Sequence, residues 1–240
     1  KGIVPIDGGP FPSAATDGSV IAIDALDGDR ADMVLTTRGA YDIAGAMFIF
    51  ELATAIAGEI LGIHPFNQPD VEIAKRLAAS AMAGELAESV RPSIAVADDT
   101  LVRLLESILT EHRPSYVSIQ AYLAPSPSSD VALESLRKLI DARCGVYTTV
   151  GYGPRFLHST GQIHKGGPPG AVFIQILDEP QATLRVPETD FTFNELIAAQ
   201  AAGDRAALAD KGRSVLSVQL GQDTETGLRL LIDAARAAFQ

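Results

Sequence analysis

Cysteine is almost absent from the 240 residues. Cys144 stands alone, so no disulfide can form within the chain, and a reducing cytoplasm is the compartment to expect. Flanked by Arg143 and Gly145 ahead of an apolar run, it reads as a small packed residue rather than a nucleophile. Cations are also scarce. Nineteen lysines and arginines face thirty aspartates and glutamates, a net charge of -11 with a pI near 4.7. That balance repels nucleic acid and anionic membrane surfaces, so neither is expected as a partner. An anionic ligand would have to be met by cations gathered locally. Internal repeats, a low-complexity linker and a signal-peptide pattern are not seen either, and the opening KGIVPIDGGPFPS reads like the interior of a longer chain.

Hydrophobic residues, at 47% of the chain, are sufficient for one large core, and a single domain over 1–240 is expected. Residues 1–18, rich in glycine and proline, form an irregular lead-in, and short strands are predicted at 19–24 and 32–37. The long apolar stretch 41–63 has large side chains around nearly its whole circumference, which predicts a buried central helix. Glu51 near its middle would cost about 2.5 to 3.5 kcal/mol in a bilayer, and Glu59 follows, so a membrane span is set aside. HPFNQP breaks that helix, and Pro69 with Asp70 and Glu72 suits the start of a second one, expected to run to about residue 89. From 93 onward helices and strands alternate. Strands are predicted at 93–97, 116–122, 146–150, 171–177 and 214–220. The helices between them are one starting at Asp98 or Asp99, 131–142 capped by Ser129 or Asp130, 194–202 and 204–213 parted by Gly203, and a closing 224–239. This order predicts an α/β fold, a mostly parallel doubly wound sheet with flanking helices.

Between the predicted strands VYTTV and AVFIQIL lies GYGPRFLHSTGQIHKGGPPG, residues 151–170. It carries Arg155, His158, Ser159, Gln162, His164 and Lys165, a polar loop where ligands commonly bind in parallel sheets. As bare residue types these could equally be solvated loop groups. Lys75, three residues after Glu72 on a predicted helix, reads by spacing as half of a surface ion pair. His112 in TEHRPS suits a helix C-terminus.

Two segments resemble glucose-6-phosphate isomerases, most closely the isomerase part of transaldolase/glucose-6-phosphate isomerase fusions. They are RFLHSTGQ with the following KGGP (residues 155–162 and 165–168), and GIHPFNQPDVEIAK, residues 62–75. The resemblance implies a sugar-isomerase (SIS-like) domain, the carboxyl-terminal part of a larger enzyme, with 41–89 carrying the lysine motif and 93–240 the α/β core. It implies interconversion of glucose 6-phosphate and fructose 6-phosphate through ring opening and an enediol, with no metal or organic cofactor. Position by position, His158 matches the ring-opening histidine, with His164 its rival, and Lys75 matches the helping lysine. Gln162, Gln68, Ser159 and Thr160 become sugar or phosphate binders, and Arg155 and Lys165 add positive potential. The expected partners are the sugar phosphate, the upstream isomerase or transaldolase portion and a second copy as a homodimer.

The match departs from the family where His64 and Asn67 replace its usual asparagine and aspartate. No segment matches the family's catalytic glutamate, its enediolate arginine or its Ser/Thr-rich phosphate loop. The isolated chain is therefore expected to be inactive. A non-catalytic sugar-phosphate module and a purely structural domain are the other readings.

Overall fold

The computed structural model describes residues 21–24, 31–67, 69–85, 92–167, 169–179 and 182–240. The expected lead-in at 1–18 and Gln68 lie outside them. The chain divides after Asn67 into two compact units.

In the smaller unit, β1 (Ile21–Ile23) pairs in parallel with β2 (Met33–Leu35), and α1 (Ala40–Leu61) follows. Helix α1 ends where Gly62 turns into the left-handed region at φ 66, a conformation that glycine adopts without steric cost. Its predicted burial is not observed. Gly58, against the Pro65 ring, is its one buried residue, whereas Tyr41 is 94% and Ile60 78% exposed. The long apolar stretch does form a helix, but among the described residues of its unit two three-residue strands supply too little surface to cover it. Among the described residues α1 is the one helix long and apolar enough to cross a membrane by length and composition, with Glu51 and Glu59 on it.

The larger unit is built on five parallel strands in the order β3-β7-β6-β4-β5. They are β3 (Ile94–Ala95), β4 (Tyr116–Tyr122), β5 (Tyr147–Tyr152), β6 (Ala171–Leu177) and β7 (Ser214–Gln219). Alternation along each strand gives the sheet two unlike faces. Val117, Ile119 and Ala121 of β4, Val172, Ile174 and Ile176 of β6 and Val218 of β7 form the main apolar core. Covering it are α3 (Leu101–Glu106), α4 (Pro127–Cys144) and α7 (Thr224–Ala237), which contribute Leu105, Leu136 and Leu231 among others. The opposite face presents Ser118 and Gln120 of β4, Gln175 of β6 and Ser217 of β7, all buried. Over it lie α5 (Ser159–Gly166) and α6 (Phe193–Asp210), with α2 (Pro69–Met82) packed on both. The predicted parallel α/β sheet flanked by helices is therefore observed.

Several boundaries differ from expectation. Helix α2 ends at Met82, where Gly84 takes φ 73 and its N–H donates to the Ala81 carbonyl. Helix α3 starts after Thr100, whose N–H and hydroxyl donate to Asp98, and continues as a wider-turned segment Ser107–Glu111. The cap of α4 is Ser126, which accepts from the Ser129 N–H with Pro127 in the first turn, earlier than the predicted Ser129 or Asp130. Cys144 is half-buried and its thiol donates to the Leu109 carbonyl at 3.5 Å; burial pushes its pKa up to about 11, which suits the packing role.

The predicted break at Gly203 is absent. One helix, α6, runs through it from a capping box made by Thr192 and Glu195. Gly203 marks instead the crossing with α2, because a Cβ there would run into the backbone of Ala78. Ala74 and Ala207, both fully buried, continue the close approach. Gly203→Val should therefore lower the urea midpoint of the larger unit by an amount equivalent to about 1–3 kcal/mol. An unchanged midpoint would mean that the two helices do not meet at this residue.

Candidate active site

The segment 151–170 is more ordered than a polar loop. After β5 the chain makes a tight turn, one short 3-10 turn Arg155–Leu157, and then α5, so the predicted loop is largely helical. Three of its glycines are packing positions. A Cβ on Gly161 would strike the Phe156 carbonyl, one on Gly167 the Ile163 carbonyl, and one on Gly166 would lie 2.7 Å from the Asp70 carboxylate. Composition could not separate glycines that bend a loop from glycines that let a helix sit close.

The predicted site residues fall into two groups. His158 occupies the N-cap position of α5 in extended backbone and is exposed, as are Arg155 before it and Thr160 after it. Ser159 opens the helix. These positions follow the carboxyl end of β5, the end of a parallel sheet at which ligands bind. Gln162, His164 and Lys165 point the other way. Lys165 is completely buried as a side chain, and its ammonium donates to Asp204 on α6 at 2.5 Å and to the carbonyls of Phe156 and Gly161 at 3.3 and 3.4 Å. Its charge therefore holds both ends of the backbone that frames His158.

His164 lies against the polar face of the sheet. Gln120 Nε2 donates to its Nδ1 at 3.1 Å, while its Nε2 faces the hydroxyls of Tyr116 and Ser118 at 3.4 Å. The rings of Phe156 and Phe173 enclose it at 5.4 and 5.3 Å. Burial, reinforced by the neighbouring Lys165 charge, depresses its pKa to about 3. With an amide N–H already aimed at Nδ1, the neutral imidazole is the form that fits.

Gln162 joins the two matched segments. Its Nε2 donates to Asp70 Oδ2 at 2.8 Å, and the Asp70 N–H returns a bond to its Oε1 at 3.2 Å. Lys211 closes the other carboxylate oxygen at 2.6 Å. The start of α2 is thus clamped to α5, which brings the helix bearing Lys75 against the helix bearing His158. Lys75 itself is half-exposed and pairs with Glu72 at 2.8 Å, as the bare spacing predicts. It lines an open depression of about 570 Å³ with Phe191, Leu196 and Gln200. In the other unit His64 accepts the Phe66 N–H at 3.2 Å through Nδ1.

Sequence reasoning missed the buried partners. Asp204 is fully buried, and burial pushes its carboxyl pKa up while Lys165 opposes the shift. Gln120 and Tyr122 stand beside the same carboxylate, and burial raises the Tyr122 phenol well above its ordinary value. The signal was available: Ser118, Gln120 and Gln175 interrupt otherwise apolar strands at alternating positions, so they share one face.

Comparisons with known proteins support part of the family resemblance. No protein-family model matches the chain. A 64-residue segment, 26% of the chain, is 39% identical to the glucose-6-phosphate isomerase of Streptococcus thermophilus LMD-9. Over 64 residues the identity is 41% to the glucose-6-phosphate isomerases of Streptococcus gordonii and Streptococcus pneumoniae. The match spans only 14% of the length of each relative. The crystal structure of a hypothetical protein from Thermus thermophilus superposes with a TM-score of 0.51 at 18% identity, covering 72% of this chain and 44% of that one. At that identity the likeness concerns the fold alone.

His164 gives the site a testable pH signature. Its folded-state pKa of about 3 lies below the ordinary 6.5, so the unfolded chain binds the extra proton first on acidification. The contribution to stability is complete above about pH 6.5 and is lost as the pH falls toward 3, at up to about 1.4 kcal/mol per pH unit. Urea midpoints of the wild type should fall over that window more steeply than those of His164→Gln. A His164 NMR resonance that titrates near 6.5 would contradict the buried, neutral assignment. What the chain shares with known proteins is a 64-residue segment similar to glucose-6-phosphate isomerases and a parallel α/β fold.

Proposed function

We propose that the chain is the carboxyl-terminal, sugar-isomerase (SIS-like) part of a glucose-6-phosphate isomerase, of the kind fused to transaldolase, and that 1–240 works as one domain of it. The observation that carries this reading is the clamp between Gln162 and Asp70, which joins the histidine segment to the lysine segment. The 39–41% identical stretch supports the same family.

In this proposal His158 works as an exposed imidazole at the mouth of the site. It gives a proton to the leaving ring oxygen of the bound sugar phosphate and takes one from the anomeric hydroxyl, chemistry that an imidazole performs near neutral pH. Lys75 assists by stabilising negative charge as the ring opens. Thr160 and Ser159 meet hydroxyl or phosphate oxygens, Gln68 a hydroxyl, and Arg155 supplies local positive charge at this site in a chain of net charge -11. Gln162 acts as a positioning residue through Asp70, and Lys165 through the carbonyls of Phe156 and Gly161. His164, enclosed and neutral, shapes the floor rather than moving protons, which favours His158 over it for ring opening. The base that shuttles the proton between C1 and C2 comes from chain upstream, and no metal or organic cofactor is involved.

The test is conversion of fructose 6-phosphate to glucose 6-phosphate, coupled to a glucose-6-phosphate dehydrogenase. The chain alone should be inactive, and activity should appear once the remainder of the protein in which it occurs is supplied. In that assembly His158→Ala should lower kcat by about 100-fold or more with a smaller change in KM. An unchanged rate in His158→Ala would reduce the chain to a structural domain. Saturable fructose 6-phosphate binding without turnover in the assembly would make it a binding module.

A further inference from the structure

A second cavity, touching segment 151–170 only through Arg213, has the wrong charge for this protein. It holds about 410 Å³ and lies along the amino-terminal half of β7, between the segment after α3 and the carboxyl-terminal half of α6. Arg205, Arg213 and His112 line it together with the hydroxyl-bearing Ser107 and Ser214, and no carboxylate among the described residues does. Two guanidiniums and an imidazole thus share one hollow in a chain of net charge -11.

Arg205 is the informative group. Its Nη1 donates to Ser93, Gln175 and Ser217 at 3.1, 3.1 and 2.9 Å, which locks the planar guanidinium against the polar face of the sheet. Every one of these acceptors is neutral, and Nη2 makes no hydrogen bond among the described residues. Burial holds the arginine below its ordinary pKa with no carboxylate to oppose the effect. Burying a guanidinium without a counter-charge is costly, and a fixed fork with a free edge is what binds an oxyanion in two-point fashion. Arg213 is also held in place, donating to the carbonyls of Lys165 and Gly167, and adds its charge from a set position. His112 Nε2 lies 3.0 Å from the Ser214 hydroxyl, so imidazole and serine share a wall. Ile108 and Leu216 give the remaining wall an apolar surface.

We infer that this cavity is a binding site for the phosphoryl group of a small phosphorylated metabolite. It is distinct from the proposed isomerase site. Ser214 is level with Val172 of β6, near the amino ends of the strands, whereas His158 follows the carboxyl end of β5 at the far edge of the sheet. Strand spacing and rise separate these two places by roughly 20 Å. The inference does not rest on the isomerase reading.

The chain contains four histidines, so each imidazole can be followed by NMR. Inorganic phosphate and glycerol 3-phosphate, titrated at constant ionic strength against chloride, should each move the His112 resonances saturably, and chloride should not. Arg205→Gln should weaken that response at least tenfold. Because Arg205 also ties strands together, Ser107→Asp provides a second variant, placing a negative charge at an exposed position on the cavity wall, and it should weaken the response comparably with the fold intact by circular dichroism. His112 resonances that stay still with both phosphates, including a result in which only His158 moves, would overturn the site. So would an undiminished response in a folded Ser107→Asp protein.

Discussion

A lysine and an aspartate buried out of reach of solvent govern the larger unit. Lys165 and Asp204 are both completely enclosed as side chains, and neither charge could be tolerated there without the other. Their contact joins α5 to α6, and the two carbonyls that also receive the ammonium, Phe156 and Gly161, bracket the turn that displays His158. Removing either partner of such a pair costs about 3–5 kcal/mol, because the survivor is left as an uncompensated charge. Apolar packing could hold these helices as firmly, but it would not fix the two carbonyls. The ion pair is therefore better understood as specifying one conformation of the turn than as a source of stability.

The same logic extends outward over the polar face of the sheet. The opposite face is an ordinary apolar core under three helices, and it can be tight without being unique. On the polar face several side chains have particular partners: Gln120 with His164, Gln175 with Arg205 and the Ala201 carbonyl, Ser217 with Arg205. Directional contacts of this kind fix register where apolar contacts would tolerate a shift. At the outer layer Gln162, Asp70 and Lys211 tie α2 to α5 and to the end of α6, and Gly203 with Ala78 lets α2 and α6 approach closely. The proposed catalytic groups are exposed, but every element that carries them is anchored underneath.

Strands β4 and β6 were legible in the sequence to the residue, because each is a mostly apolar, β-branched and aromatic run bounded by turn residues. The α/β class followed from the alternation. What was not legible came from residues whose meaning depends on a neighbour distant in sequence. Gly203 reads as a helix breaker until Ala78 is seen against it. The glycines of 151–170 read as loop until Phe156, Ile163 and Asp70 are found where their side chains would be. Lys165 reads as a solvated cation in a polar segment, and only Asp204, 39 residues away, shows that it is internal. Helix α1 differs in the opposite sense: its long apolar stretch gave the helix correctly, but burial requires covering surface that the described part of its unit does not contain.

Amide hydrogen exchange of Asp204→Asn against the wild type tests most directly whether the buried pair governs the turn. If it does, exchange should accelerate across residues 155–166 while β4 and β6 keep their protection. Unchanged protection across 155–166 would contradict the account, since the backbone around His158 would then be held by packing alone.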